Sequence, residues 1–123
     1  MIRKTIQRNV IKETFLNKNR PIRIDEILEE GRKKVKSLNQ ATIYRNLKYL
    51  VESGWLKVIK HPELGVFYEM SEKEHHHHFH CNTCNLLFNI PGCALDESNC
   101  TPPGFVMEKH EIFLFGKCPS CSN

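Results

Sequence analysis

Two C-x-x-C pairs, Cys81/Cys84 and Cys118/Cys121, limit what this chain can fold into more than any other feature. A tight turn lets both sulfurs of a pair reach one ion, and two such pairs make a closed tetrahedral site for structural Zn²⁺. Closing it brings the C-terminal residues back to residue 81, so the chain in between must form a small lobe stapled by metal. In an oxidising compartment the same cysteines would pair as disulfides. The opening stretch Met-Ile-Arg-Lys-Thr-Ile-Gln-Arg lacks the apolar core of a secretory signal, and thiolates in a soluble, cytoplasmic protein are expected. No apolar run approaches the roughly 18 residues of a membrane span, so no membrane partner is expected. Cys93 and Cys100 stand outside the pairs and read as buried or idle thiols.

With 123 residues the chain holds one domain or two small lobes. Its net charge of +4 is unevenly spread: residues 1–70 carry 15 Lys+Arg against 8 Asp+Glu, residues 71–123 carry 3 against 6. A basic first half suits a polyanion such as nucleic acid, and an acidic, His/Cys-rich second half suits divalent cations. Apolar spacing predicts a first helix over 5–17 through Ile6, Val10, Ile11 and Phe15, and a second from Ile24, ended by Gly31. A third begins at Ser37, where Ser37 and Gln40 have capping-box spacing, and buries Ile43, Leu47, Leu50 and Val51. Strands over 55–60 and 66–70 complete the outline of a winged helix-turn-helix. Beyond it, short strands are expected near 75–81, 86–90 and 105–115. The fold class is therefore α+β: a winged helix-turn-helix over 1–70, then a small α/β lobe over 71–123 with a four-cysteine zinc site.

With Ile43 and Leu47 inward, the helical step turns Ala41, Arg45 and Lys48 outward, flanked by Thr42, Tyr44 and Tyr49. Such a face suits a DNA major groove, where arginine pairs with guanine edges and tyrosine meets a thymine methyl or a phosphate. An ordinary solvated helix face has the same composition; the wing-like hairpin behind it favours DNA. The internal run His75 to His78, if a strand, sends His76, His78 and His80 to one face and His75 and His77 to the other. One strand would then feed two metal sites for Zn²⁺ or Fe²⁺, with Glu69, Asp96 and His110 as further ligands.

These motifs resemble those of the ferric uptake regulator family of metal-responsive repressors, which includes iron, zinc, manganese, nickel and peroxide sensors. The resemblance rests on Thr5-x-Gln7-Arg8, on Ala41-Thr42-Ile43-Tyr44-Arg45-Asn46-Leu47 against the family's A-T-V-Y-R-x-L, and on Tyr68-Glu69. It extends through H-H-x-H-x-x-C-x-x-C from His75 to Cys84 and His110-x-x-x-x-x-Gly116-x-Cys118-x-x-Cys121. It implies a homodimer in which 71–123 is the dimerisation lobe, pairing through its sheet, and whose winged helices bind a palindromic operator when metal is present. It further implies base reading by Tyr44 and Arg45, and a minor-groove contact from Arg3 or Lys4. Cys81, Cys84, Cys118 and Cys121 would hold structural zinc. Glu69, His76 and His78 would form a regulatory site for Zn²⁺ or Fe²⁺, and His75, His77, Asp96 and His110 a second site.

The chain departs from the family pattern in having no histidine before His61, Asn89 in place of a carboxylate, and Met70 where zinc sensors commonly place a cysteine. A regulatory set of only three matched ligands suits four-coordinate zinc, with His80 or water in the fourth position. Pro102 and Pro103 cut short the helix expected between the last strands. A zinc-binding adaptor or metal buffer leaves Tyr44 and Arg45 on a basic winged helix without a use. A hydrolytic zinc enzyme lacks an evident activated nucleophile.

Overall fold

The computed structural model describes residues 2–71, 75–93, 95 and 97–122, and only the backbone at 2, 3, 97 and 98. Two compact units, Met1–Glu72 and Lys73–Asn123, are each taken by themselves.

In the first unit, α1 (Ile2–Lys18) buries Gln7, Val10, Ile11, Thr14 and Phe15. That is the i, i+3, i+4, i+7, i+8 stripe of a helix lying on a core. Ile6, expected on this stripe, sits one helical step away and is about half exposed, at 49%. The second helix, α2 (Ile24–Arg32), runs through Gly31 rather than ending there. Close packing requires the glycine there. A Cβ at Gly31 would lie 2.4 Å from Cδ2 of the fully buried Leu38, so the glycine admits a close approach.

The third helix, α3 (Gln40–Glu52), starts three residues later than the Ser37 capping box suggests. Leu38 is drawn into the core, and the cap is Asn39, whose Oδ1 accepts from the Thr42 backbone N–H at 2.9 Å. Replacing Asn39 by alanine should cost about 1 kcal/mol. Urea unfolding followed through Trp55, the single tryptophan, checks this, because Trp55 packs edge-on against Phe15 with ring centroids 6.1 Å apart. Ile11, Phe15, Ile22, Ile27, Leu38, Ile43, Leu47, Leu50 and Leu56 form the core beneath the three helices.

The hairpin pairs β1 (Leu56–His61) with β2 (Gly65–Met70) antiparallel, from Leu56 opposite Met70 to His61 opposite Gly65. Ile22 and Tyr68 exchange backbone hydrogen bonds of 2.9 Å, fastening the hairpin to the loop before α2. At the tip, His61 Nδ1 accepts from the N–H groups of Glu63 and Leu64, both at 3.0 Å. Three helices and this wing make a winged helix-turn-helix.

The second unit is a three-stranded sheet in the order β4-β3-β5. Central β3 (His76–Cys81) runs antiparallel to β4 (Leu87–Pro91) and parallel to β5 (Phe113–Gly116), with the single-turn α4 (Glu97–Cys100) in the crossover. The strand expected over 105–115 is reduced to Phe113–Gly116. Residues 101–112 are irregular, and α4 ends before Pro102, which cannot continue it.

Candidate metal centres and nucleic-acid interface

Parallel pairing of β3 with β5 assembles the four-cysteine cluster. Cys81 ends β3 opposite Gly116, Asn82 N donates to Gly116 O at 2.7 Å, and Cys118 follows two residues later. The four Sγ atoms of Cys81, Cys84, Cys118 and Cys121 all lie within 4.8 Å of one another. Cys84 and Cys118 are 3.9 Å apart, against about 3.8 Å for two thiolates on one tetrahedral Zn²⁺. Cys81 Sγ accepts from the N–H groups of Cys84 at 3.5 Å and Cys118 at 3.4 Å. The Cys84 N–H, with that of Cys118 adding to it, draws the Cys81 thiol down to about 6 against the opposing cost of burial. Hydrogen bonding to Cys118 pushes Cys121 up to about 12, and burial raises Cys84. Without a metal, charge therefore gathers on Cys81 while Cys84 and Cys121 keep their protons. A divalent cation replaces those protons, which is the donor chemistry of structural zinc.

The histidine run divides between the two faces of β3, as alternation predicts. On one face the rings of His76 and His78 are 4.9 Å apart, and His78 stacks on Phe113. Glu69 lies on β2, in register with Lys57, whose Nζ is 3.3 Å from its carboxylate. His80, expected as a possible fourth ligand beside His76 and His78, instead meets Asn85 Oδ1 at 3.2 Å and the ring of Phe115.

On the other face, His75 and His77 converge with His110, and a cysteine completes the group. His75 Nε2 is 3.1 Å from His110 Nε2, and Cys93 Sγ is 3.0 Å from His77 Nε2 and 3.3 Å from His110 Nε2. Burial first, then the neighbouring imidazoles His75 and His110, lowers the His77 pKa, keeping it neutral and able to ligate. Cys93, expected to be buried or idle, is exposed and has two imidazole neighbours. Asp96, expected in this set, lies outside the described residues.

In the first unit, Ala41, Tyr44, Arg45, Lys48 and Tyr49 are exposed along one side of α3, with Lys57 and Lys60 exposed on the wing. Thr42, expected among the contacting residues, is buried; its hydroxyl accepts from Arg45 Nη2 at 3.2 Å and so lies beneath that guanidinium. Arg8 donates from Nε to Asn46 Oδ1 at 3.0 Å and lies 3.8 Å over the Tyr49 ring, bracing α1 against α3. Lys4 is exposed, while the Arg3 side chain lies outside the described residues.

A helix-turn-helix with a basic exposed third helix, joined in one chain to clusters of thiol and imidazole ligands, matches the model of the ferric uptake regulator family over residues 1–115. The chain belongs to that family. It is 27% identical over 124 residues to the peroxide operon regulator of Bacillus subtilis, spanning 98% of this chain and 85% of that one. To the ferric uptake regulation protein of Neisseria meningitidis it is 31% identical over 99 residues, 77% of this chain and 65% of that one. Among solved structures, a zinc-bound manganese uptake regulator superposes with a TM-score of 0.79 at 22% identity, over 91% of this chain and 87% of its own. The Helicobacter pylori ferric uptake regulator, described as having three functional metal binding sites, superposes at 0.69 and 21% identity, over 95% and 80%. Identities this low carry the fold alone.

Within the ferric uptake regulator frame, sequence reasoning missed Cys93, and also Arg8 and Asn46 as braces of α3. The signal for Cys93 was register. His76 pairs with Pro91, so the turn at Gly92, whose φ of +76° suits glycine, returns the next residue to the His75/His77 face. The signal for Arg8 was its place in Gln7-Arg8, one turn before the buried Val10 and Ile11.

Proposed function

We propose that this family member is a metal-dependent transcriptional repressor that binds a palindromic DNA operator as a homodimer and controls genes of metal uptake or homeostasis. One observation carries the reading: Tyr44, Arg45 and Lys48 stand exposed on a braced third helix in a chain that also gathers two four-ligand metal clusters. In this reading Tyr44 and Arg45 read bases, Lys48 and Lys4 or Arg3 meet the backbone or a minor groove, and Thr42 positions Arg45. The four cysteines hold structural zinc, and Glu69, His76 and His78 form the regulatory set for Zn²⁺ or Fe²⁺. Leu114 and Phe115 on β5, with Phe105 and Val106, expose apolar surface suited to pairing with a second copy. An enzyme is disfavoured because the chemistry-bearing side chains are spent as ligands. A metal buffer leaves the basic helix face unused.

Selection from a randomised duplex library by metal-loaded protein tests the proposal. A palindrome should be enriched, with binding that weakens steeply with salt and is lost on chelation. Failure to enrich any duplex with Zn²⁺, Fe²⁺ or Mn²⁺ would overturn it. On the selected duplex, Arg45→Ala should cost about 1 to 3 kcal/mol and relax preference at one base pair in each half-site. Equal weakening on every sequence would place Arg45 on the phosphate backbone instead.

A further inference from the structure

Cys93 has no part in the DNA reading, the four-cysteine site or the regulatory set just proposed, yet its sulfur points into a cluster of imidazoles. Three chain segments meet there: the start of β3 with His75 and His77, the turn after β4 with Cys93, and the stretch before β5 with His110. Three Nε2 atoms and one Sγ face a common centre, all within 4.8 Å of one another. The ligand-to-ligand distances of 3.0, 3.1 and 3.3 Å are close to the roughly 3.3 to 3.6 Å edges of a tetrahedron of nitrogen and sulfur around Zn²⁺.

We propose that His75, His77, Cys93 and His110 form a second metal site of three imidazoles and one thiolate, which takes Zn²⁺ in preference to Fe²⁺ or Mn²⁺. A thiolate is a soft donor and selects for zinc over the harder ions, and four protein ligands at tetrahedral spacing leave no room for the higher coordination those ions prefer. Cys93 supplies a thiolate to a set for which the sequence suggests the carboxylate of Asp96, a residue outside the described ones. With four protein ligands the site is structural in kind, tying the irregular residues 101–112 to the sheet through His110. The inference stands on the second unit alone and goes beyond the repressor reading, since it holds whether or not the chain binds DNA.

Cobalt, used as a spectroscopic probe in place of zinc, tests it on the full chain with the four-cysteine cluster already zinc-filled. Adding Co²⁺ should produce a sulfur-to-cobalt charge-transfer band with intense tetrahedral ligand-field bands. Zn²⁺ should then bleach them, and Mn²⁺ should not. Cobalt at Glu69, His76 and His78 gives no sulfur band, so failure there and failure here are distinguishable. Cys93→Ser should abolish the band and weaken cobalt binding at this site by about tenfold or more. A second readout needs no variant. Zinc should slow alkylation of Cys93 by iodoacetamide at least about tenfold, while the exposed Cys100 keeps its rate as an internal reference. A sulfur band that persists in Cys93→Ser, a cobalt spectrum without one in the unaltered protein, or a Cys93 alkylation rate indifferent to zinc would each overturn the proposal. Those last two results would leave the four side chains as a hydrogen-bonded chain sharing protons.

Discussion

Replacing Cys118 by serine is expected to strip zinc from the four-cysteine cluster, unfold the second unit and leave the chain monomeric. The size of the effect follows from how little else holds that unit. Among its described residues the buried apolar side chains are Cys81, Leu87 and Cys118, and two of these are zinc-ligand candidates. A lobe of about fifty residues with so small a core depends on a staple, and structural zinc supplies apparent binding free energies of about 10 to 16 kcal/mol in small domains. Serine at position 118 removes one thiolate and opens the closed site, leaving three cysteines to hold the ion. Size-exclusion chromatography with zinc analysis reads the result directly. Trp55 fluorescence should stay native, since its packing against Phe15 lies within the helical core of the first unit. Protease should cut within residues 101–115 first. A folded, zinc-loaded dimer would remove the cluster from its structural role.

The sequence disclosed elements wherever one local signal acted alone, and misled where a tertiary contact competed. Strand alternation divided the histidine run correctly between two faces, because side-chain period on a strand is fixed by backbone geometry. Each C-x-x-C pair carries its own turn, which made the pairs legible, while the β3/β5 pairing brings the two pairs together. Gly31 reads as a helix stop and is not one, since a glycine needed for close packing against Leu38 looks the same in sequence as one that ends a helix. Ser37 lost the cap to Asn39 because burying Leu38 outweighs a capping box. Thr42 looked like a flank residue and is buried. Cys93 was hidden for a different reason: its partners are 16 and 17 residues away, and only the β3/β4 register and the placement of His110 before β5 bring them together.

The regulatory response is expected to follow Zn²⁺ rather than Fe²⁺, and to vanish when His76 and His78 are both replaced by alanine. The proposed set of Glu69, His76 and His78 offers three protein ligands. Ferrous iron prefers five or six, whereas zinc is satisfied by four and accepts a water as the last. Three further candidate donors among the described residues each have a partner of their own. His61, the sole histidine of the first unit, spends Nδ1 on the N–H groups of Glu63 and Leu64 at the wing tip. His80 is engaged with Asn85, and Asp25 lies 3.9 Å from the guanidinium of Arg23. The measurement is an anaerobic titration of each metal against binding to the selected duplex, on protein whose four-cysteine cluster is already loaded. Zinc should drive binding in the unaltered chain. In the His76→Ala, His78→Ala double variant the four-cysteine zinc should remain while the zinc-driven gain in affinity is lost, a change of about 100-fold or more if coupling between metal and DNA is of the order of 3 kcal/mol. Activation by Fe²⁺ at concentrations where Zn²⁺ does nothing would overturn the assignment of the metal, and an unchanged zinc response in the double variant would overturn the assignment of the residues.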